Sequence, residues 1–244
     1  MEAIAERVIS LKVSYNLRHI GGYRTRSGGV TTANILRAGS LHLLQDDGIA
    51  GLRALGVRVV VDLRSAEERE RDRTPDLREA GIETIHAPVF ERDASPVGLQ
   101  QDFPGYATVY RQFLETGRHA YRTLFETLAD TDGGFLFHCA AGKDRTGVAA
   151  ALLLEVAGVP DEMIIADYAA SESLLHARID DWQPRMRERG IDDTLAQKLL
   201  ASPPEDIVDT LSYVRERWGS AAGYLYDLGI APTIIDRVRR RAVR

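Results

Sequence analysis

The chain has 244 residues, a net charge of −5, 44% hydrophobic and 27% charged residues, and one cysteine. That balance describes a soluble globular protein with a sizeable core and excludes a disordered or fibrous chain. A single cysteine excludes an intramolecular disulfide framework and a cysteine-based zinc cage, and the acidic balance argues against general binding to nucleic acid.

Glu2 and Glu6 stand where a signal peptide carries a positive region, and no unbroken apolar stretch follows them. The longest apolar run, 148–159, is interrupted by Glu155 and falls far short of the ~20 residues that span a bilayer. A cytoplasmic protein without a transmembrane segment is therefore expected. In chain order, Gly21 and Gly22 read as a turn and residues 34–38 as a short strand. Residues 41–56 read as a helix closed by Gly56. The valine run of 57–64 predicts a buried parallel strand. A charged helix over 65–73 follows, opened by Ser65 with Glu67 and Glu68 in its first turn.

Residues 82–90 predict another strand, and 91–105, with two prolines and no apolar period, a long loop. Residues 106–130 predict a helix broken near Gly117, 133–139 an apolar strand, and 148–158 a helix ended by Gly158. Beyond Pro160 only helical patterning remains, over 161–182, 192–201, 204–219 and the tail, whose basic residues 237–244 suit a helix C-terminus. The expected fold is α/β in one domain over 1–244. It has a central, mostly parallel sheet flanked by helices and a helical C-terminal part from about residue 160.

The chemistry lies in HCAAGKDRTG, residues 138–147, between a strand and a helix. A helix N-terminus offers unpaired N–H groups and a positive dipole. The small residues Ala140, Ala141 and Gly142 let the backbone curl into a nest for a tetrahedral oxyanion. Arg145 can clamp two of its oxygens with its planar fork. Cys139, at the base, ionises more readily beside a helix N-terminus and an arginine. Thr146 can donate a hydrogen bond to its sulfur, and His138 can orient the loop through backbone carbonyls. Such a thiolate attacks phosphorus in line and forms a phosphocysteine that water hydrolyses, a reaction that calls for no metal and no cofactor.

Every position of H-C-x5-R-[ST] is filled, and the chain resembles the cysteine-dependent protein tyrosine phosphatase superfamily. GKDRTG, with NLRHIGGYRT, ILRAGSL, VVDLRS, IIADYAAS and GSAAGYLYDLGI, is similar to a bacterial tyrosine phosphatase family that has a secreted mycobacterial member and related lipid phosphatases. The likeness runs from about Asn16 to near the C-terminus. It implies a tyrosine phosphatase-like fold, Cys139 as nucleophile, Arg145 as clamp and a cradle of amides from Ala140 to Arg145. In such relatives the lysine matching Lys143 is associated with extra phosphates. The substrates implied are phosphotyrosine and, beyond it, phosphoserine or phosphothreonine and phosphoinositides.

The general acid is open between Asp62, which matches the aspartate of DLRS at a strand end, and Asp144 in the loop. Asp93 and Asp102, in the long loop, rank below them, since no W-P-D motif is present. Arg64 and Glu67 read either as a surface pair or as a brace for the cysteine loop. Tyr106 and Tyr110 share a helical face suited to core or lid packing. A nucleotide P-loop is excluded, because Phe137 stands where its first glycine belongs and Asp144 where it needs Ser or Thr. The rivals are a phosphate-binding module that has lost turnover and a rhodanese-like sulfur transferase.

Overall fold

The valine run sits at the centre of the molecule. In a computed structural model, which describes residues 4–9, 11, 14–90, 105–177, 179–188 and 190–244, Val57–Asp62 (β3) is buried except at Arg58. It belongs to a five-stranded sheet of order β1-β2-β5-β3-β4. The other strands are Arg18–His19 (β1), Ile35–Ala38 (β2), Glu83–His86 (β4) and Gly134–His138 (β5). β2, β5, β3 and β4 run parallel, while β1 joins β2 antiparallel. The sheet is thus mostly parallel, as expected. Two residues are too few to show a period, which is why β1 has no sequence signature.

Alternation along the strands divides the core. Ile35, Val59, Val61, Phe135 and Phe137 face one layer, and Leu36, Val60 and Leu136 the other. The first layer holds Tyr106–Thr116 (α3), Arg118–Asp130 (α4) and Asp144–Val156 (α5). Asp161–His176 (α6), Pro204–Trp218 (α9), Ala221–Asp227 (α10) and Pro232–Ala242 (α11) bury apolar residues in the same cluster. The second layer is thinner and holds Asp46–Ala54 (α1), which buries Leu52, together with Leu41 and Leu44 from the turn before it. Ala66–Arg71 (α2) follows β3. Ile179–Glu188 (α7) and Asp193–Leu200 (α8) build a satellite cluster with Tyr15 and Leu175, against which Ala141 of the cysteine loop packs.

The α3–α4 break falls at Gly117, as expected: a Cβ there would lie 2.6 Å from the Phe113 carbonyl oxygen and 2.7 Å from Val89. Three expectations need correction. The helix expected over 41–56 begins only after Gln45, because residues 41–44 make a turn that buries Leu41 and Leu44 under the sheet. The helix expected over 161–182 stops at His176, and α7 begins separately and runs through Pro184. The helix expected to start at Val148 starts at Asp144, inside the cysteine loop. The tail is helical, and its arginines reach the body: Arg237 pairs with Asp130 at 2.5 Å and Arg241 donates to Gly133 O at 2.6 Å. The long loop expected over 91–105 lies outside the described residues apart from Gly105, and with it Asp93 and Asp102.

Candidate active site

Ala38, His138, Asp62 and His86 stand side by side as the last residues of β2, β5, β3 and β4. The crevice beyond the carboxyl ends of parallel strands is where α/β proteins bind ligands. The chain leaves β5 there as Cys139 and re-enters a helix at Asp144. Gly142, at φ +68°, makes the turn, and a Cβ on it would lie 2.4 Å from the Ala38 backbone.

The loop's carbonyls are all drawn outward. Ala140 O accepts from Ser40 N at 2.8 Å, and Ala141 O and Gly142 O accept from Asn16 Nδ2 at 3.3 and 2.9 Å. Arg37 donates to Gly142 O at 2.8 Å. In a trans peptide the N–H of the next residue points opposite to the carbonyl. Tying back these carbonyls therefore turns the N–H groups of residues 141–143 to the inner side, and the free N-terminal amides of α5 extend the cradle.

Arg37 and Arg18, both fully buried, share Asp167 of α6. Arg18 also binds Asn16 Oδ1, so Asn16, in the left-handed region at φ +57°, is held from below. Burial opposes the charge of Asp167, but the two guanidiniums hold its pKa down to about 2. Two cations to one anion leave the ground beneath the loop positive. Asn16, Arg18, Arg37 and Asp167 lie within the motifs NLRHIGGYRT, ILRAGSL and IIADYAAS, yet nothing in their types or spacing shows this meeting.

Cys139 is 1% exposed, and Arg145 is 8% exposed beside it on the first turn of α5. Arg145 is gripped bidentately by Glu68 of α2, at 2.5 and 2.8 Å, with Phe90 4.9 Å beneath the guanidinium. Burial discourages its charge, and Glu68 more than reverses this, so Arg145 stays charged. Glu68 also closes a capping box, accepting from Ser65 N at 2.9 Å while Ser65 caps α2. The brace for Arg145 is thus Glu68, and Arg64, weighed in the sequence as half of a surface pair or as a brace for the cysteine loop, is buried against Asp62 and Ser40. Ser65 followed three residues later by a glutamate was the signal.

Arg64 serves the next carboxylate. It holds Asp62 through Nε at 2.9 Å and Nη2 at 2.7 Å, and Asp62 is 1% exposed. Burial opposes the charge of Asp62, while His138 and Arg64 draw its pKa down to about 2. Closed off by Arg64 in this way, Asp62 has no route for a proton to a leaving oxygen. His138 is fully buried, bonds Cys139 O through Nδ1 at 3.2 Å and faces Asp62 through Nε2 at 3.7 Å. Burial lowers its pKa against the opposing pull of the Asp62 charge. It fixes the loop through a backbone carbonyl, as expected. Among the described residues the buried hydroxyl of Thr146 has no hydrogen-bond partner, so the expected bond to the sulfur is not formed.

Lys143 departs furthest from expectation. Its ammonium is fully buried, donates to Leu199 O at 2.8 Å and Ala201 O at 2.7 Å, and sits 3.9 Å over the Tyr106 ring. It ties the loop to the C-terminal end of α8, where carbonyls lack intrahelical partners and attract cations. Asp144, at the first position of α5, has a side chain 25% exposed, and its Oδ1 meets Tyr110 Oη at 2.5 Å and Lys143 Nζ at 3.3 Å. Tyr106 and Tyr110 pack as expected and also touch this machinery. Among the described residues, no cluster of three His, Cys, Asp or Glu could hold a metal ion, and no helix is long and apolar enough to cross a membrane.

The carboxyl end of the parallel sheet thus brings a loop of inward-turned amides next to a buried cysteine and an anchored arginine. Residues 9–244 match the model of the tyrosine phosphatase family, and the chain belongs to that family. It is 30% identical to the triple specificity protein phosphatase PtpB of Mycobacterium tuberculosis, over 95% of this chain and 98% of that one. It is 29% identical to a tyrosine-protein phosphatase of Nostoc commune, over 88% and 76%. Among solved structures, the catalytic core of the PP-IP phosphatase SIW14 from S. cerevisiae aligns with a TM-score of 0.42 at 15% identity, covering 66% of this chain and 78% of that one.

Proposed function

We propose that this enzyme hydrolyses phosphotyrosine through a phosphocysteine, with Cys139 as nucleophile and Arg145 and the loop amides as the phosphate site. The observation that carries the reading is the outward binding of the loop carbonyls by Ser40, Asn16 and Arg37. It preorganises a cup before any phosphate enters, so no reorganisation is needed as charge develops on the equatorial oxygens. The Cys139 thiolate forms the S–P bond as the P–O bond to the phenol breaks, and the acid form of Asp144 protonates the leaving oxygen. In the second step water attacks phosphorus, Asp144 takes its proton, and the S–P bond breaks to restore the thiolate.

Asp144 is the acid in this reading because Asp62 is sealed against Arg64, whereas Asp144 reaches solvent at the lip of the loop. Phosphorylated proteins are the substrates proposed. Phosphoserine, phosphothreonine and phosphoinositides extend the set only where the cup itself suffices, since Lys143 is engaged by α8. A thiol that must stay reduced suits a cytosol-like compartment. The test is hydrolysis of an aryl phosphate and of phosphotyrosyl peptides with a chelator present. Cys139→Ser and Arg145→Ala are expected to abolish turnover. Full turnover by the serine variant, or dependence on an added metal, overturns the proposal, and a single burst of phenol without turnover supports a binding module instead.

A further inference from the structure

The carboxyl group of Asp144 is held asymmetrically. Its Oδ1 lies 2.5 Å from Tyr110 Oη and 3.3 Å from Lys143 Nζ, while Oδ2 has no partner among the described residues. Tyr110, on α3, has no freedom to look elsewhere. It is fully buried, with Tyr106 and Phe113 packed on it at 5.8 and 5.7 Å and the Tyr168 ring edge-on at 6.1 Å. Its hydroxyl also lies 2.7 Å from that of Tyr168, on α6. Two elements, α3 and α6, thus deliver a chain of two hydroxyls to one carboxylate oxygen on α5.

The chain has a direction. A tyrosine hydroxyl has one hydrogen, and an ionised carboxylate only accepts. Tyr168 therefore donates to Tyr110, and Tyr110 to Asp144. Burial and the nearby Asp144 charge push both phenols above their ordinary pKa, so both keep their hydrogens. Protonating Oδ1 would weaken the bond this oxygen accepts from Tyr110, because a neutral acceptor is poorer than a charged one. It would also set the new proton against the Lys143 ammonium. Protonating Oδ2 disturbs neither.

We propose that Tyr110, backed by Tyr168, is a positioning residue that anchors Asp144 by Oδ1 and leaves Oδ2 to carry the proton given to the leaving group. The proposal rests on the reading of Asp144 as the general acid. A carboxyl group anchored by one oxygen keeps the other in a single orientation, and small misplacements of a catalytic group cost rate steeply. Removing the Tyr110 hydroxyl lets the carboxyl rotate without touching the cup. The damage then falls on proton delivery, and it grows as the leaving group becomes more basic.

The experiment is a series of aryl phosphates whose phenols run from p-nitrophenol to tyrosine, assayed with wild type, Tyr110→Phe, Tyr168→Phe and Asp144→Asn. Asp144→Asn is expected to steepen the fall of kcat with leaving-group pKa, with a loss on the order of a hundredfold for tyrosyl phosphate. Tyr110→Phe is expected to steepen it in the same sense, with about a tenfold loss for tyrosyl phosphate and little for p-nitrophenyl phosphate. Tyr168→Phe should do so more weakly, and inhibition by inorganic phosphate should be unchanged in all three. A Tyr110→Phe loss equal across the series, or none, while Asp144→Asn steepens it, overturns the role of Tyr110 alone. If Asp144→Asn leaves the slope unchanged, the reading of Asp144 itself fails. Should Tyr110→Phe not fold, Tyr168→Phe decides, and a slope identical to wild type overturns the proposal.

Discussion

Glu68→Ala removes the carboxylate that grips Arg145. The pair makes two charge-assisted bonds of 2.5 and 2.8 Å, with side chains 10% and 6% exposed. Bonds to charged groups contribute about 1.5–3 kcal/mol each, and breaking a buried pair while one charge stays costs roughly 3–5 kcal/mol. Losing the glutamate half of the α2 capping box adds about 0.5 kcal/mol. Arg145 lines the cup, where water or phosphate can partly replace its partner, so the lower end applies and the expected loss is about 3 kcal/mol. Urea unfolding measures it. The pH dependence gives a second check. Arg145 holds the Glu68 carboxyl below its usual range against the opposing effect of burial. Its stabilisation is therefore full above the unfolded-state value of about 4.3 and fades as pH falls through the folded value. The gap between wild type and variant should stay constant from pH 7 to 5 and narrow below about pH 4. A loss under about 1 kcal/mol, or a gap that does not narrow in acid, refutes the assigned brace.

Asp62→Asn should cost about 2 kcal/mol at pH 7 in the same assay, from a carboxyl pKa lowered to about 2. That stability is present above the unfolded value of about 3.9 and lost as pH falls towards 2. The variant should keep the wild-type leaving-group dependence, and a steepened one would return Asp62 to the role of acid. Gly142→Ala should lose phosphate inhibition and turnover together, because its Cβ would meet the Ala38 backbone at 2.4 Å with φ at +68°. Turnover within a factor of two of wild type would show that the loop can shift to admit it.

The central strands and most of the helices were legible because their patterns are local. The apolar runs in 57–62 and 134–138 and the glycine at 117 act within a few residues, whatever the rest of the chain does. The turn at Leu41–Leu44 was not legible, since three leucines near a helix read as helix until the sheet demands two of them. The gap between α6 and α7 has no strong breaker at its place, and Pro184, the one breaker nearby, sits inside α7. In the site, Cys139, Arg145 and the small residues between them were readable as a unit. Glu68 was half visible through its capping box, and the roles of Lys143, Asp62 and Tyr110 were hidden.

The proposed chemistry could be read from residue order alone, because a cysteine, a run of small residues and an arginine lie within seven consecutive residues on one strand-to-helix turn, where covalent connection fixes their proximity. Tertiary structure decided what surrounds that turn. Asp62 and Asp144 are both aspartates near the same loop, and only packing separates them. One is closed off by Arg64 and draws its pKa down, and the other stands at the rim on a tyrosine hydroxyl. The partners of Lys143 lie 56 and 58 residues away in the chain, and that of Tyr110 lies 34 residues away. A side chain's role at such a distance depends on where other helices come to rest, which no local pattern encodes.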